Sequence, residues 1–61
     1  SEISPKYREV LVLYYLEELP YREIADVLQV PVSTVGIRLK RGKGALADIY
    51  TKKGLRYGTE I

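Results

Sequence analysis

Apolar residues recur along this chain at helical spacing, in three segments separated by short connections. The first covers residues 4–19 and is apolar on nearly every side, with no Gly or Pro after its first turn. In the second, residues 21–28, three apolar residues share one face: Ile24, Ala25 and Leu28. Such periodicity is typical of amphipathic helices that pack on one another, so the pattern predicts an all-α fold.

The third segment is predicted to be a helix over residues 32–53, ended by Gly54. One side of it is an apolar stripe with steps of four, three and four residues: Val35, Leu39, Gly42 and Leu46. Interior glycines each cost about 1 kcal/mol relative to Ala, and Gly42 on the stripe would allow a close helix approach. Residues 54–61 have turn residues and no periodicity, which predicts a loosely ordered tail.

The connections contain helix start and stop signals. Ser4 and Pro5 suit the N-cap and the first helical position. Pro20 ends the first helix at about residue 19, because the residue before a proline avoids the helical conformation. Residues 29–31 form a tight connection in which we expect Val30 to reach the core. The fold predicted is a single small bundle of three to four helices, ordered over about residues 4–53, with a helix-turn-helix and no wing.

The first helix has more apolar residues than one small core can use. Val10, Leu13 and Tyr14 share its inner side. The remainder comprises Leu11 and three candidates for a protein-partner surface: Val12, Tyr15 and Leu16. Such a surplus fits either a partner surface or ordinary exposed apolar side chains.

Composition excludes several classes of function. The 61 residues include no Cys and no His, so disulfides, thiolate chemistry and the usual zinc ligands are missing. The carboxylates are dispersed and Ser33 has no base nearby in sequence, so we expect neither an enzyme nor a bound metal, cofactor or small-molecule substrate. The longest apolar run, residues 10–16, is far short of a membrane span. With no signal peptide and no initiator Met, we expect a cytoplasmic fragment of a larger protein.

Charge is distributed unevenly between the two halves of the chain. Residues 1–30 have three cations and six acids, whereas residues 31–61 have seven cations and two acids. The net charges of these halves are therefore −3 and +5. This asymmetry favours a polyanion as the partner of the second half, although a solvated, lysine-rich helix would show the same charge.

The motifs that carry a family resemblance are SPKYREVL at residues 4–11, YREIADVL at residues 21–28 and VPVSTV at residues 30–35, followed by Arg38 and Arg41. In this order and at this spacing they closely resemble region 4 of bacterial RNA polymerase sigma factors, most nearly the extracytoplasmic-function group. The resemblance covers about residues 3–47. It implies a domain that docks its last helix in the major groove of the −35 promoter element.

The resemblance also implies roles for individual residues. Base-facing places on the outer side of the last helix fall on Gly36, Ile37, Lys40 and Arg41. Phosphate-facing places fall on Ser33 and Thr34 in its first turn. At the start of the supporting helix, Tyr21 and Arg22 are placed to reach the flanking backbone, and the charges of Arg38 and Lys43 would add affinity for phosphates that does not depend on base sequence. The sequence departs from the family at Gly36, where a cationic or polar residue is common. It departs also at Pro20, where a capping Ser or Thr is usual.

Partners follow from the same resemblance. They are double-stranded promoter DNA, the flap region of the RNA polymerase core and an inhibitory anti-sigma protein. Two alternatives remain open from the sequence. One is a stand-alone helix-turn-helix regulator, which would usually dimerise to gain affinity. The other is a helical protein-interaction module that binds the polymerase or an anti-sigma factor through the apolar surplus of the first helix.

Overall fold

The computed structural model describes residues 3–52 of the chain. Its elements, in chain order, are α1 (Pro5–Leu11), a π-helical segment (Val12–Leu16), α2 (Tyr21–Leu28) and α3 (Val32–Lys52). No strand occurs among the described residues, and α1 packs against α3, which also packs against α2. The predicted all-α bundle with a helix-turn-helix is thereby confirmed.

The first helical stretch widens where the π-helical segment follows α1. The amide of Glu17 donates to the carbonyl of Val12, five residues earlier, at 3.0 Å. α-Helical bonds span four residues, so this longer span marks a π-helical turn. Such turns are frequent at functional sites. The sequence pattern did not reveal it, because it predicted one continuous α-helix.

The first helical stretch ends at Leu16, so the predicted end at about Leu19 is wrong. The reason is the conformation of Glu18, which has a left-handed backbone with φ 59°. This turn lets the amide of Leu19 donate to the carbonyl of Leu13 at 3.0 Å, which satisfies a carbonyl that the helix end would leave unpaired. Pro20 therefore follows a helix that has already ended.

The prolines instead mark helix starts. Pro20 occupies the N-cap of α2 with an extended backbone, and its carbonyl accepts hydrogen bonds from the amides of Glu23 and Ile24. Ser4 occupies the N-cap of α1 with Pro5 after it, as predicted, but its side chain makes no capping hydrogen bond. The predicted span of α2 is confirmed at both ends.

The turn between α2 and α3 is closed by backbone hydrogen bonds. Gln29 adopts the left-handed conformation, with φ 58° and ψ 49°. The amide of Val30 donates to the carbonyl of Ala25 at 3.0 Å, and the Gln29 side-chain amide donates to the carbonyl of Asp26 at 2.7 Å. This arrangement is a Schellman motif, which reverses the chain within a few residues. Val30 packs against the core, as predicted.

The core lies where the three helices meet. Its buried side chains are Val10, Ile24, Ala25, Val35 and Leu39. Partly buried apolar residues surround them: Leu11, Leu13, Tyr14, Leu19, Leu28 and Val30. All of these except Leu11, Leu19 and the turn residue Val30 lie on the faces that the periodicity predicts for the core.

Gly42 is buried in the interface between α1 and α3. A Cβ atom added there would lie 3.2 Å from Leu11 Cδ1 and 3.3 Å from Tyr7 Cβ. The predicted close approach at Gly42 is therefore confirmed. It also explains why assigning Leu11 to the surplus was wrong, since the missing side chain at Gly42 leaves the room that Leu11 occupies.

α3 is longer than the bundle that supports it. Its 21 residues extend over about 31 Å at the α-helical rise, and Gly42 is the last of them that is buried. Leu46 is only partly buried and lies beyond the core, so its predicted place in the buried stripe is wrong. The predicted end at Lys53 and the tail 54–61 lie outside the described residues. None of the helices within residues 3–52 is long and apolar enough to cross a membrane.

Candidate nucleic-acid interface

The outer face of α3 is the exposed side that points away from the core residues Val35 and Leu39. Its members are Ser33, Ile37, Lys40 and Arg41, all of which are exposed. Ile37 leaves 49% of its surface exposed. The position of these residues follows from the helical period, because the same 3.6-residue repeat that buries the stripe turns them outward.

Cations dominate the outer face of α3 and its margins. They are Arg22, Arg38, Lys40, Arg41 and Lys43. None of them forms an ion pair with another described residue. The first acidic residue of α3 is Asp48, more than four helical turns from its start. This part of the helix therefore presents positive charge that the described residues do not neutralise.

The first turn of α3 has donors for an anion. The carbonyl of Pro31 accepts hydrogen bonds from the amides of Thr34 at 3.0 Å and Val35 at 3.3 Å. The amides of Val32 and Ser33 precede these and have no acceptor within the helix. Beside them lie the hydroxyls of Ser33, which is exposed, and Thr34, which is partly buried. Such a group of donors at a helix start can bind a phosphate oxygen.

Gly36 lies at the edge of the outer face, beside the start of α2. A Cβ atom added to Gly36 would lie 3.5 Å from Cε2 of Tyr21. Tyr21 and its neighbour Arg22 are both exposed. The helix-turn-helix therefore brings the predicted phosphate-facing residues of α2 next to the second turn of α3. Arg38 is partly buried.

A separate, apolar groove lies between the first helical stretch and α3. Its lining residues are Leu11, Val12, Tyr15, Leu16, Lys43 and Leu46, around a volume of about 380 Å³. The three predicted partner-surface residues are exposed by 39% at Val12, 50% at Tyr15 and 74% at Leu16. Their predicted exposure is confirmed, and the structure adds Leu46 to them.

Lys43 is exposed and also lines this apolar groove. Its predicted phosphate contact stays a prediction. The sequence signal for the groove was the continuation of the apolar stripe to Leu46, past the end of the core. Because α3 is longer than the bundle, that continuation meets the π segment instead of the core.

A second groove, of about 460 Å³, lies between α1 and α2. Its lining residues are Arg8, Glu9, Val12, Leu13, Val27 and Leu28. Val12 is common to both grooves and forms the ridge between them. Sequence analysis missed this groove, although Val27 is an apolar residue on the polar side of α2 and is 59% exposed.

The fold and the cationic face define a helix-turn-helix domain of the DNA-binding class. Comparison with known proteins specifies the family. Residues 1–46 match the family described as Sigma-70, region 4. The chain therefore belongs to the sigma-70 region 4 family, whose members are DNA-binding domains of transcription initiation factors. The family resemblance predicted from the sequence is confirmed.

Two curated relatives come from Bacillus subtilis (strain 168). The ECF RNA polymerase sigma factor SigW is 47% identical over 45 residues, which cover 74% of this chain and 24% of the relative. The ECF RNA polymerase sigma factor SigM is 35% identical over 52 residues, covering 85% of this chain and 32% of the relative. The chain thus matches only about a quarter to a third of the length of these proteins. No solved structure matches it.

Proposed function

We propose that this domain reads the −35 element of a promoter as part of a sigma factor, with α3 in the major groove. The observation that carries the proposal is the outer face of α3. There, Lys40 and Arg41 are exposed and form no ion pair with another residue from 3 to 52. The family membership supplies the biological context. Its setting would be the cytoplasm, where bacterial promoters are transcribed.

Three side chains of α3 would contact the bases. Arg41 can donate two hydrogen bonds to O6 and N7 of a guanine, and Lys40 can donate to the same atoms with less geometric precision. A good bidentate pair discriminates against the wrong base by about 1–3 kcal/mol. Ile37, half exposed on the same face, can contact a thymine methyl group. Gly36 contributes no side chain, so this reader has few base contacts.

Phosphate contacts position the helix. The hydroxyls of Ser33 and Thr34, together with the amides at the start of α3, would hold one backbone phosphate. Tyr21 and Arg22 would hold the flanking strand from α2. Since base contacts are few, we expect the isolated domain to bind DNA weakly and to depend strongly on salt.

The polymerase would supply the remaining affinity through the apolar groove. Val12, Tyr15 and Leu16 are exposed apolar residues that line this one groove, and clustered exposed apolar residues mark protein-interaction sites. We propose that the flap region of the polymerase core docks on this groove. An anti-sigma protein that covered the same groove would compete with the flap, and such competition would make this surface the site of inhibition.

The promoter-reading proposal is tested by selection from a pool of DNA duplexes, followed by affinity measurement with the chain at low salt. We expect an enriched sequence, and a loss of at least tenfold in affinity for the Lys40→Ala/Arg41→Ala variant. The matched control is Lys6→Ala/Arg8→Ala, which removes the same charge from exposed positions of α1. Equal affinity of the wild type and the Lys40→Ala/Arg41→Ala variant, or equal losses in both double variants, would refute the assignment.

A further inference from the structure

Three tyrosines form a row of ring contacts from the apolar groove to α3. The rings of Tyr15 and Tyr14 meet edge to face, with centroids 4.9 Å apart and planes at 86°. Tyr14 meets Tyr21 in the same way, at 5.4 Å and 78°. Both geometries are the ones that aromatic pairs prefer. Tyr14 is thus in contact with the phosphate-facing tyrosine of α2, although it belongs to neither candidate surface.

Tyr21 is held between two neighbours. Its ring touches the ring of Tyr14 in the π-helical segment. Its Cε2 atom lies 3.5 Å from the position that a Cβ atom added to Gly36 would occupy. Yet 40% of the residue is exposed, and its hydroxyl forms no hydrogen bond with any residue from 3 to 52. A phenol that is fixed by its ring and free at its hydroxyl is suited to donate to an external acceptor.

We infer that Tyr14 is a positioning residue for DNA binding, acting through Tyr21. Its ring holds Tyr21 against Gly36, so that the Tyr21 hydroxyl donates to a backbone phosphate beside Gly36, where α3 has no side chain. This inference rests on the proposed function. It adds a residue to the interface that neither the family motif nor the helical periodicity singles out, because Tyr14 was explained as core packing.

Gly36 is part of the same arrangement. A side chain longer than Ala at this position would extend from a Cβ that already lies at van der Waals distance from the Tyr21 ring. It would displace the ring or turn it away from Tyr14. The glycine that removes one base contact therefore makes room for a contact from α2.

A purely structural role for Tyr14 is the competing explanation, since the residue is partly buried against the core. The two roles differ in how Tyr14 and Tyr21 interact energetically. If Tyr14 acts through Tyr21, its substitution changes DNA affinity only while the Tyr21 hydroxyl is present. If Tyr14 only stabilises the core, its effect on affinity is independent of Tyr21. A double-mutant cycle separates these cases.

The experiment measures affinity of the chain for a mixed-sequence DNA duplex at fixed low salt, in four proteins: wild type, Tyr14→Leu, Tyr21→Phe and the double variant. We expect Tyr21→Phe to weaken binding roughly ten- to a hundredfold, the loss of one hydrogen bond to a charged acceptor. Tyr14→Leu should weaken binding about threefold or more, and it should have no further effect in the Tyr21→Phe background. Tyr14→Phe, which keeps the ring, should bind like the wild type.

A second readout follows the ring itself. The Gly36 α-proton resonances report the ring current of Tyr21, and they should move in Tyr14→Leu but not in Tyr14→Phe. If Tyr14→Leu does not fold, Tyr14→Met replaces it in both measurements. Equal losses from the Tyr14 substitution in both Tyr21 backgrounds, or unmoved Gly36 resonances, would overturn the inference. If instead Lys40→Ala/Arg41→Ala left DNA affinity unchanged, the promoter-reading proposal itself would fail.

Discussion

The outer face of α3 and the apolar groove between α3 and the π segment share one helix but have opposite chemistry. On the outer face, the cations Lys40 and Arg41 are exposed and the apolar residues are turned into the core. At the groove, Tyr15 and Leu16 are exposed although they are apolar. The first arrangement suits a polyanion and the second suits a protein surface. A domain with both is suited to join DNA to another protein.

Both surfaces depend on the core that they share. Leu39 is 3% exposed and packs between the helices that carry both surfaces. Leu39→Ala should cost about 2–5 kcal/mol, enough to unfold much of so small a domain. Urea denaturation followed by circular dichroism measures this loss. The adjacent Lys40→Ala is the control, since an exposed substitution should change stability by about 0.5 kcal/mol or less.

Loss of both binding activities in Leu39→Ala would accompany the loss of helicity. A Leu39→Ala variant as stable as the wild type would contradict the observed core. The loss of stability should affect both surfaces, because it does not depend on which partner binds.

The fold was predictable because its determinants are local. The spacing of Val35 and Leu39 indicates the inner stripe of α3. The span of α2 is indicated by the prolines on either side of it and by its helical apolar period. Left-handed residues were not predictable, since Glu18 and Gln29 are not the Gly or Asn that usually mark that conformation. The π-helical turn was not predictable for a similar reason, because it changes hydrogen-bond spacing without requiring a particular residue.

The candidate sites were predictable in part. Exposure of the outer face of α3 followed from periodicity, and its DNA role remains a prediction from the family. The contact between Tyr14 and Tyr21 joins residues of different helices, so no spacing within one helix could indicate it. Lys43 was assigned with the other cations by charge alone, and the structure adds that it lines the apolar groove.

The two surfaces can be separated by a substitution in the groove. Leu16 is 74% exposed and lines the groove shared with α3, but not the groove between α1 and α2. Leu16→Asp should therefore leave the fold intact and weaken binding to the RNA polymerase core about tenfold or more, because a carboxylate would be desolvated in an apolar interface. Its affinity for duplex DNA should stay within about twofold of the wild type, since the proposed phosphate contacts are retained.

Binding to the polymerase core is measured by native gel shift or fluorescence anisotropy at two salt concentrations. Val12→Asp is a less specific probe, because Val12 also lines the second groove. Unchanged polymerase affinity in Leu16→Asp would show that the exposed apolar residues are ordinary surface. A parallel loss of DNA and polymerase binding would show that the two surfaces are not independent.

The smallest expected effect is a difference in stability between substitutions at Gly42 and Gly44, two glycines on opposite sides of α3. Gly44 is exposed, and a Cβ added there would meet no heavy atom within 4 Å. Gly44→Ala should therefore raise the free energy of unfolding by about 1 kcal/mol, the difference in helix propensity. Gly42→Ala gains the same propensity, but its Cβ would lie 3.2 Å from Leu11 Cδ1 and 3.3 Å from Tyr7 Cβ.

Of these two neighbours, Leu11 can move its side chain, but the Cβ of Tyr7 is fixed to the α1 backbone. Relief at Gly42 therefore requires α1 and α3 to separate slightly, which loosens close packing. We expect the gain in propensity to be cancelled or reversed, so that Gly42→Ala is less stable than Gly44→Ala by about 1 kcal/mol or more. Thermal unfolding of the two variants side by side measures this difference. Equal stabilisation by both would mean that α1 does not approach α3 as closely as Gly42 allows.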